Sequence, residues 1–416
     1  MRVCLRYFSN RFSPCSSFSL SLFLRVFVSM KITGVDVFIL QTPLEQPFAF
    51  SQGWVRRRSA TLVRVTAGDG FVGWGEAFAQ GLEPPQIAAA VIEHGLAPLL
   101  MGEDPRSPAV LWEKMYTQSR DYGRKGSVVA GISAVDTALW DLVGKIYGEP
   151  IHRLLGGAVR ERVQPYATGF YRIHGQGEAS RLAEEAIMHR EAGFGAMKVK
   201  LGFGLHDDIE VMEAVVGALG DDVATGRVEL MVDSNHAYGR AEALALGRVL
   251  DEFGLRWYEE PVVPEDIAGY AELRSQLTTP IAGGENEHTA FGFAPLIQAG
   301  GLDIAQPDVG SCGGLTAARD IAAIAHANGV AVNPHVWGSA IAQAASLQFI
   351  ATLPVPHASL FAKAPILEYD RSDHPFRQQL IETPWQVEEG MIAIPNGPGL
   401  GIEVNMDTVE RYDINH

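Results

Sequence analysis

Met197-Lys198-Val199-Lys200, Val232-Asp233-Ser234-Asn235, Trp257-Tyr258-Glu259-Glu260-Pro261 and Gly283-Gly284-Glu285-Asn286 each close a short, largely apolar run with charged or polar residues. Short apolar runs bounded by turn residues have the pattern of buried strands. Between them the apolar residues recur at helical spacing. Ile209, Met212, Val216 and Leu219 follow the first run; Leu244, Leu246, Val249, Leu250 and Phe253 follow the second. Lys200, Asp233, Glu259 and Glu285 are 33, 26 and 26 positions apart, close to the roughly 30 residues of one βαβ step. Two further units end in Gln306-Pro307-Asp308 and Asn333-Pro334-His335, so six successive strands close on a polar or ionisable residue.

Parallel strands joined by helices carry all their carboxyl ends on one side, and in a barrel that side holds the active site. Residues i and i+2 of a strand face the same way, so Lys198 and Lys200 point into the barrel while Met197, Val199 and Leu201 face the helices. Carboxylates from three adjacent strand ends make a hard-oxygen site suited to Mg²⁺. Glu259 and Glu260 are neighbours that face opposite ways, and the residue pattern alone does not choose between them.

Outward from this stretch, 416 residues suffice for one barrel and a smaller second unit. A net charge of -16 without a basic run argues against a nucleic-acid partner. The three cysteines, Cys4, Cys15 and Cys312, are too few and too scattered for a disulfide framework or a zinc motif, which fits a reducing cytoplasm. Residues 1–29 are rich in Phe, Ser and Arg and lack acidic residues. Their apolar run is too short to span a bilayer. Met30-Lys31-Ile32-Thr33 reads as a normal start, so 1–29 is expected to be a non-native upstream extension, with a cleaved targeting signal as the alternative. From Met30 to about Gly75 the residues alternate as strands do, and Ala67-Gly68-Asp69-Gly70 has hairpin-turn chemistry. From Pro85 to Tyr147 the pattern is helical, with Ser133 and Asp136 spaced as a capping box and Val135, Leu139, Leu142 and Val143 on one apolar face. Strands followed by helices indicate an α+β domain over 30–156. A barrel is expected over 157–370, and a turn-rich tail over 371–416 that returns to the first domain.

The α+β domain, the Lys-x-Lys strand, the strand-end carboxylates and the Asp308/His335 pair together resemble the enolase superfamily in its mandelate racemase subgroup, from about Met30 to Val404. That resemblance implies an α/β fold: a modified TIM barrel, (β/α)₇β, under an N-terminal α+β capping domain completed by the C-terminal tail. It implies Asp233, Glu259 and Glu285 as Mg²⁺ ligands, Lys200 and His335 as the acid/base pair, and Asp308 as the partner of His335. Lys198, Asn235 and Glu368 would lie near the metal and the substrate carboxylate. A homo-oligomer acting on a small-molecule carboxylate, with no nucleic-acid or membrane partner, is the expectation.

The chemistry accounts for these residue types. A proton beside a carboxylate is weakly acidic, and its removal leaves a doubly charged enediolate that a cation stabilises where the charge develops. Lys198 beside Lys200 should lower the Lys200 pKa, while Asp308 should fix the His335 tautomer and favour its protonated form. Tyr166-Ala167-Thr168-Gly169, Pro334-His335-Val336-Trp337-Gly338 and His374-Pro375-Phe376-Arg377-Gln378 are most similar to acid-sugar cycloisomerases of galactarolactone type. Glu285-Asn286-Glu287-His288 departs from them, and His236 and His288 are further candidates to touch substrate. Acid-sugar dehydratases and racemases or epimerases share the same residues, so these outcomes stay open. A metal-dependent barrel hydrolase would want a His-x-His strand, and none of the 12 histidines is so placed. A non-catalytic binding protein would not need both Lys200 and the Asp308/His335 pair. A chain beginning at Met30 is expected to match the full-length chain in Tm and turnover, and a substantial loss of either would show that the segment packs.

Overall fold

The computed structural model describes residues 30–415 apart from positions 69, 80, 81, 83, 356, 358 and 361, so the expectation for 1–29 lies outside the described residues. Three antiparallel strands, β1 (Ile32–Phe50), β2 (Gly53–Ala67) and β3 (Phe71–Ala77), open the chain. β2 and β3 join at the expected turn around Gly68 and Gly70, with Asp69 itself outside the described residues. Helix α1 (Pro108–Ser119) packs on helix α2 (Ser127–Tyr147), and α2 covers the sheet. Helix α2 sets Val135, Leu139 and Leu142 against Ile32, Val63 and Val65. Its approach to β3 is close enough to require glycine: a Cβ on Gly75 would stand 1.9 Å from the Ala134 carbonyl oxygen, and one on Gly73 2.0 Å from that of Ala138. Among the described residues α2 is the one helix long and apolar enough to cross a membrane, and it is mostly buried inside the protein.

Eight parallel strands follow: β4 (Pro165–Thr168), β5 (Ala196–Lys200), β6 (Glu229–Asp233), β7 (Tyr258–Glu259), β8 (Ile281–Gly283), β9 (Ile304–Ala305), β10 (Ala331–Val332) and β11 (Leu367–Asp370). They pair in the order β10-β9-β8-β7-β6-β5-β4-β11. A long helix follows each of the first seven: α3 (Ala179–Glu191), α4 (Leu205–Leu219), α5 (Arg240–Leu250), α6 (Ile267–Gln276), α7 (Thr289–Gln298), α8 (Gly314–Ala327) and α9 (Ala340–Thr352). This is the (β/α)₇β order. At the seam between β10 and β11 side chains carry the bonds: Asn333 Oδ1 accepts from Ile366 N at 2.8 Å, and Glu368 Oε2 from Val336 N at 3.2 Å. Tyr166, Ala196, Met231, Trp257 and Ile366 fill one layer of the interior. Two positions later on the same strands come Thr168, Lys198, Asp233, Glu259 and Glu368. Strand alternation therefore stacks a charged layer on an apolar one.

The tail lies against the first domain. Ile414 N donates to Ile39 O at 3.0 Å, and Asp141 of α2 accepts from Leu400 N at 2.8 Å. The capping-box reading of Ser133 and Asp136 is overturned, because both lie well inside α2. They serve a different helix: Ser133 Oγ accepts from Gly313 N at 2.8 Å, and Asp136 accepts from Thr316 N at 2.9 Å, both at the start of α8. Glu76 of β3 does the same for α9, accepting from Ser339 N at 2.9 Å and Ala342 N at 3.2 Å. The first domain thus holds the barrel by supplying acceptors to the unpaired N–H groups of its helices.

Gly75→Ala is expected to destabilise the fold by about 3 kcal/mol or more through overpacking, whereas Gly217→Ala in α4, where a Cβ meets nothing within 4 Å, is expected to stabilise it by up to about 1 kcal/mol. Thermal melts of both variants check the pair.

Candidate active site

Lys198 and Lys200 stand on β5 with their ammonium groups inside the barrel mouth. Lys198 is fully buried and pairs with Glu259 Oε1 at 2.7 Å, Glu368 Oε1 at 2.9 Å and Asp233 Oδ2 at 3.6 Å. Lys200 Nζ lies 2.5 Å from Asp233 Oδ2 and donates to Asn235 Oδ1 at 3.0 Å. Asn235 is held in turn, its N–H donating to Asp233 Oδ1 at 2.8 Å and its side-chain amide to Glu285 Oε1 at 3.3 Å. Glu259 Oε2 accepts from Trp257 Nε1 at 2.8 Å and Gln306 Nε2 at 2.7 Å. Glu368 Oε1 accepts from Thr168 Oγ1 at 2.8 Å.

One oxygen each from Asp233, Glu259 and Glu285 lies within 4.8 Å of the other two, and all three residues are buried. An all-oxygen set of buried carboxylates from three neighbouring strand ends fits a hard divalent cation. Its electrostatics fit as well. Desolvation, which outweighs the Lys198 ammonium and is reinforced by the other carboxylates, pushes the Glu259 pKa up to about 7. Glu260 is turned away on a backbone with φ 44°, accepts from Asn286 Nδ2 at 2.8 Å, and is raised well above the usual range by burial and by Glu285 and Asp233. The geometry therefore groups Glu259, rather than Glu260, with the other two carboxylates.

His335 Nδ1 is 2.7 Å from Asp308 Oδ2, and its Nε2 faces Glu285 Oε2 at 3.4 Å and Glu368 Oε2 at 3.7 Å. Asp308 is fixed by Gly310 N, which donates to its Oδ1 at 2.6 Å. Burial lowers the His335 pKa, but Glu285, Glu368 and Asp308 together outweigh it and raise the pKa to about 10. Lys200 departs from expectation. Burial is the largest influence and lowers its pKa, and Lys198 adds to that, yet Asp233, Glu285 and Glu368 reverse the balance and leave it raised. The contact with Asp233 outweighs like-charge repulsion from Lys198.

Lys200, Asn235, Glu285 and His335 border one small hollow, whose remaining walls are Phe50, Tyr171 and Trp337. Phe78 covers His335 edge-on, with ring centres 5.4 Å apart. Ser51 and Gln52, at the tip of the β1–β2 hairpin, pin the capping domain over the mouth through Ser234 O at 2.8 Å and Asn235 O at 2.7 Å. The aromatic walls come from the capping domain and from loops, where no periodic pattern marks them. Only Trp337, two residues beyond His335, carries a usable signal. His236 and His288 do not border the hollow. His288 Nε2 accepts from Gly126 N at 3.0 Å, and Glu287 pairs with Lys125 at 2.8 Å, so the unusual Glu285–His288 stretch docks onto the capping domain.

Comparisons with known proteins agree with this architecture. Residues 32–156 match the mandelate racemase/muconate lactonizing enzyme N-terminal domain, and residues 181–408 match the enolase C-terminal domain-like family. D-galactarolactone cycloisomerase of Agrobacterium fabrum is 40% identical over 92% of this chain and 99% of its own length. Arabinonate dehydratase of Saccharolobus solfataricus is 33% identical over 84% of this chain and 89% of its own. A racemase from Streptomyces coelicolor, solved with bound magnesium, superposes with a TM-score of 0.81 at 28% identity, covering 92% of this chain and all of that one. With both family domains present in order and the strand-end site assembled between them, the chain belongs to the mandelate racemase/muconate lactonizing enzyme family of the enolase superfamily.

Proposed function

We propose that this protein is a Mg²⁺-dependent enzyme that removes the proton beside the carboxylate of an acid sugar or its lactone, and that it acts as a cycloisomerase of galactarolactone type. The observation that carries the reading is the meeting of Lys200 and His335 at one hollow. They come from β5 and from the end of β10, which lie three strands apart one way around the barrel and five the other. Two acid/base groups reaching one carbon frame from different sides suit proton removal at one carbon and departure of oxygen from the next.

In this reading Asp233, Glu259 and Glu285 hold the Mg²⁺. The ion would supply Lewis-acid stabilisation of the charge that develops on the substrate carboxylate. Lys198 and Asn235 would orient that carboxylate. Lys200 owes its raised proton affinity first to Asp233, so a cation held by that carboxylate would lower the proton affinity of Lys200 and favour its role as a base. His335, with Nδ1 held by Asp308 and Nε2 aimed into the hollow, is arranged to give a proton to the departing oxygen. Glu368 keeps Lys198 and His335 charged and in place. The aromatic roof excludes water, which would otherwise screen these charges. The same residues would serve a dehydratase, which the likeness to arabinonate dehydratase favours as the second reading.

Asp233→Asn, Glu259→Gln and Glu285→Gln are each expected to reduce turnover by more than about a hundredfold while the protein stays folded by circular dichroism. Full activity after exhaustive EDTA treatment would contradict the metal assignment. Lys200→Ala and His335→Asn should fail differently in D₂O: for elimination or ring opening, one loses exchange of the proton beside the carboxylate, and the other retains exchange without forming product. Near wild-type turnover in both variants would refute the two-base reading.

A further inference from the structure

Inside the barrel, where the charged layer meets the apolar one, three buried polar groups belong to neither. Ala305 and Val332 are paired in register, so Gln306 and Asn333, the next residue on each strand, stand side by side after β9 and β10. Tyr166 is paired with Glu368 between β4 and β11, on the other side of the β10–β11 seam. Its ring packs edge-on against Trp257 with centres 5.6 Å apart, and the Lys198 ammonium lies over it at 5.7 Å. Tyr166 and Gln306 are fully buried, and Asn333 is 3% exposed.

Each of the two amides is committed at one end. Gln306 Nε2 donates to Glu259 Oε2 at 2.7 Å, and Asn333 Oδ1 accepts from Ile366 N at 2.8 Å. A carboxylate requires a donor and a backbone N–H requires an acceptor, so neither amide can be turned round without losing its bond. The free ends are therefore fixed as an acceptor, Gln306 Oε1, and a donor, Asn333 Nδ2. Neither of these, nor the Tyr166 hydroxyl, has a hydrogen-bond partner among the described residues. Leaving three such groups bare in one interior is costly. The donor at Asn333 is wrong for a cation, and the acceptor at Gln306 is wrong for an anion. A small neutral molecule that both donates and accepts suits all three, and a buried water typically makes about three such bonds.

We propose that Gln306 Oε1, Asn333 Nδ2 and the Tyr166 hydroxyl hold one structural water beneath the carboxylate site, and that this water makes Gln306 a positioning residue for Glu259. The water donates to Gln306 Oε1 and accepts from Asn333 and Tyr166. With its carbonyl held there, Gln306 keeps Nε2 on Glu259 Oε2 beside Trp257 Nε1, while Lys198 holds Oε1 at 2.7 Å. Glu259 then turns in one fixed orientation toward Asp233 and Glu285. Partners behind a ligand carboxylate set its orientation and so its affinity for a metal ion. The inference rests on the Mg²⁺ reading proposed above and adds the support beneath it.

The test joins a crystal structure of the full-length wild type, at a resolution that shows ordered water, to calorimetric titration with Mg²⁺. The map should hold one water within hydrogen-bond distance of Gln306 Oε1, Asn333 Nδ2 and Tyr166 Oη. Tyr166→Phe, which keeps the ring and removes the hydroxyl, should weaken Mg²⁺ binding several-fold. Gln306→Leu should weaken it on the order of tenfold or more. Because the hydroxyl acts through Gln306, the double variant should bind no more weakly than Gln306→Leu alone. A map without that water would overturn the proposal. So would additive losses in the double variant, or a Tyr166→Phe chain with a lowered Tm and an unchanged Kd for Mg²⁺, the outcome of a merely structural role. If Gln306→Leu does not fold, the wild-type map and the Tyr166→Phe titration decide. A wild type that takes up no Mg²⁺ overturns the metal reading and this inference with it, whereas Mg²⁺ uptake indifferent to Tyr166→Phe overturns this inference alone.

Discussion

The structure turns on a cluster of buried charge at the barrel mouth. Asp233, Glu259, Glu260, Glu285 and Glu368 bring five carboxyl groups into space where Lys198, Lys200 and His335 are the cations, all of them buried. Taking such groups out of water costs several kcal/mol for each ion unless partners replace the lost hydration. The surrounding fold can be understood as the supply of those partners. Trp257 and Gln306 donate to Glu259, Thr168 and Val336 donate to Glu368, and Gly310 fixes Asp308. What protein donors leave uncompensated is negative, which is the condition a divalent cation meets.

The same constraint explains why the capping domain is built as it is. Charges buried in a barrel mouth need a cover that excludes water, and Phe50 and Phe78 provide it from the ends of two separate strands. The cover must also be anchored. Glu76, Ser133 and Asp136 anchor it by accepting hydrogen bonds at the starts of α8 and α9, the helices flanking the Asp308 and His335 segments. Burial keeps the Asp136 carboxyl high, at about 7, even though Thr316 hydrogen bonds lower it. The capping domain therefore positions the helices that flank the Asp308 and His335 segments while it covers the barrel mouth.

Much of this is legible in the sequence, for a physical reason. A strand alternates its faces every residue, so Lys198 and Lys200 must share the interior, and a repeat of one βα unit must bring Asp233, Glu259 and Glu285 to adjacent strand ends. Those placements depend on local geometry alone. What escapes depends on tertiary contact. Ser133 and Asp136 have capping-box spacing, but they accept from a helix about 180 positions later in the chain. Glu287 and His288 follow closely on Glu285 in the sequence, yet they face the capping domain. The direction of the Lys200 pKa cannot be read along one strand, because the repulsion from Lys198 is visible there whereas the stronger attraction to Asp233 crosses to the next.

The central claim is that the buried carboxylates of Asp233, Glu259 and Glu285 form one divalent-cation site around which the rest is arranged. Calorimetric titration of the EDTA-stripped full chain with Mg²⁺, paired with thermal melts, tests it without reference to any substrate. One Mg²⁺ bound per chain, with a rise in Tm that is lost in Glu285→Gln, is the predicted result. A folded, stripped protein that takes up no Mg²⁺ and melts at the same temperature with or without it would contradict the account.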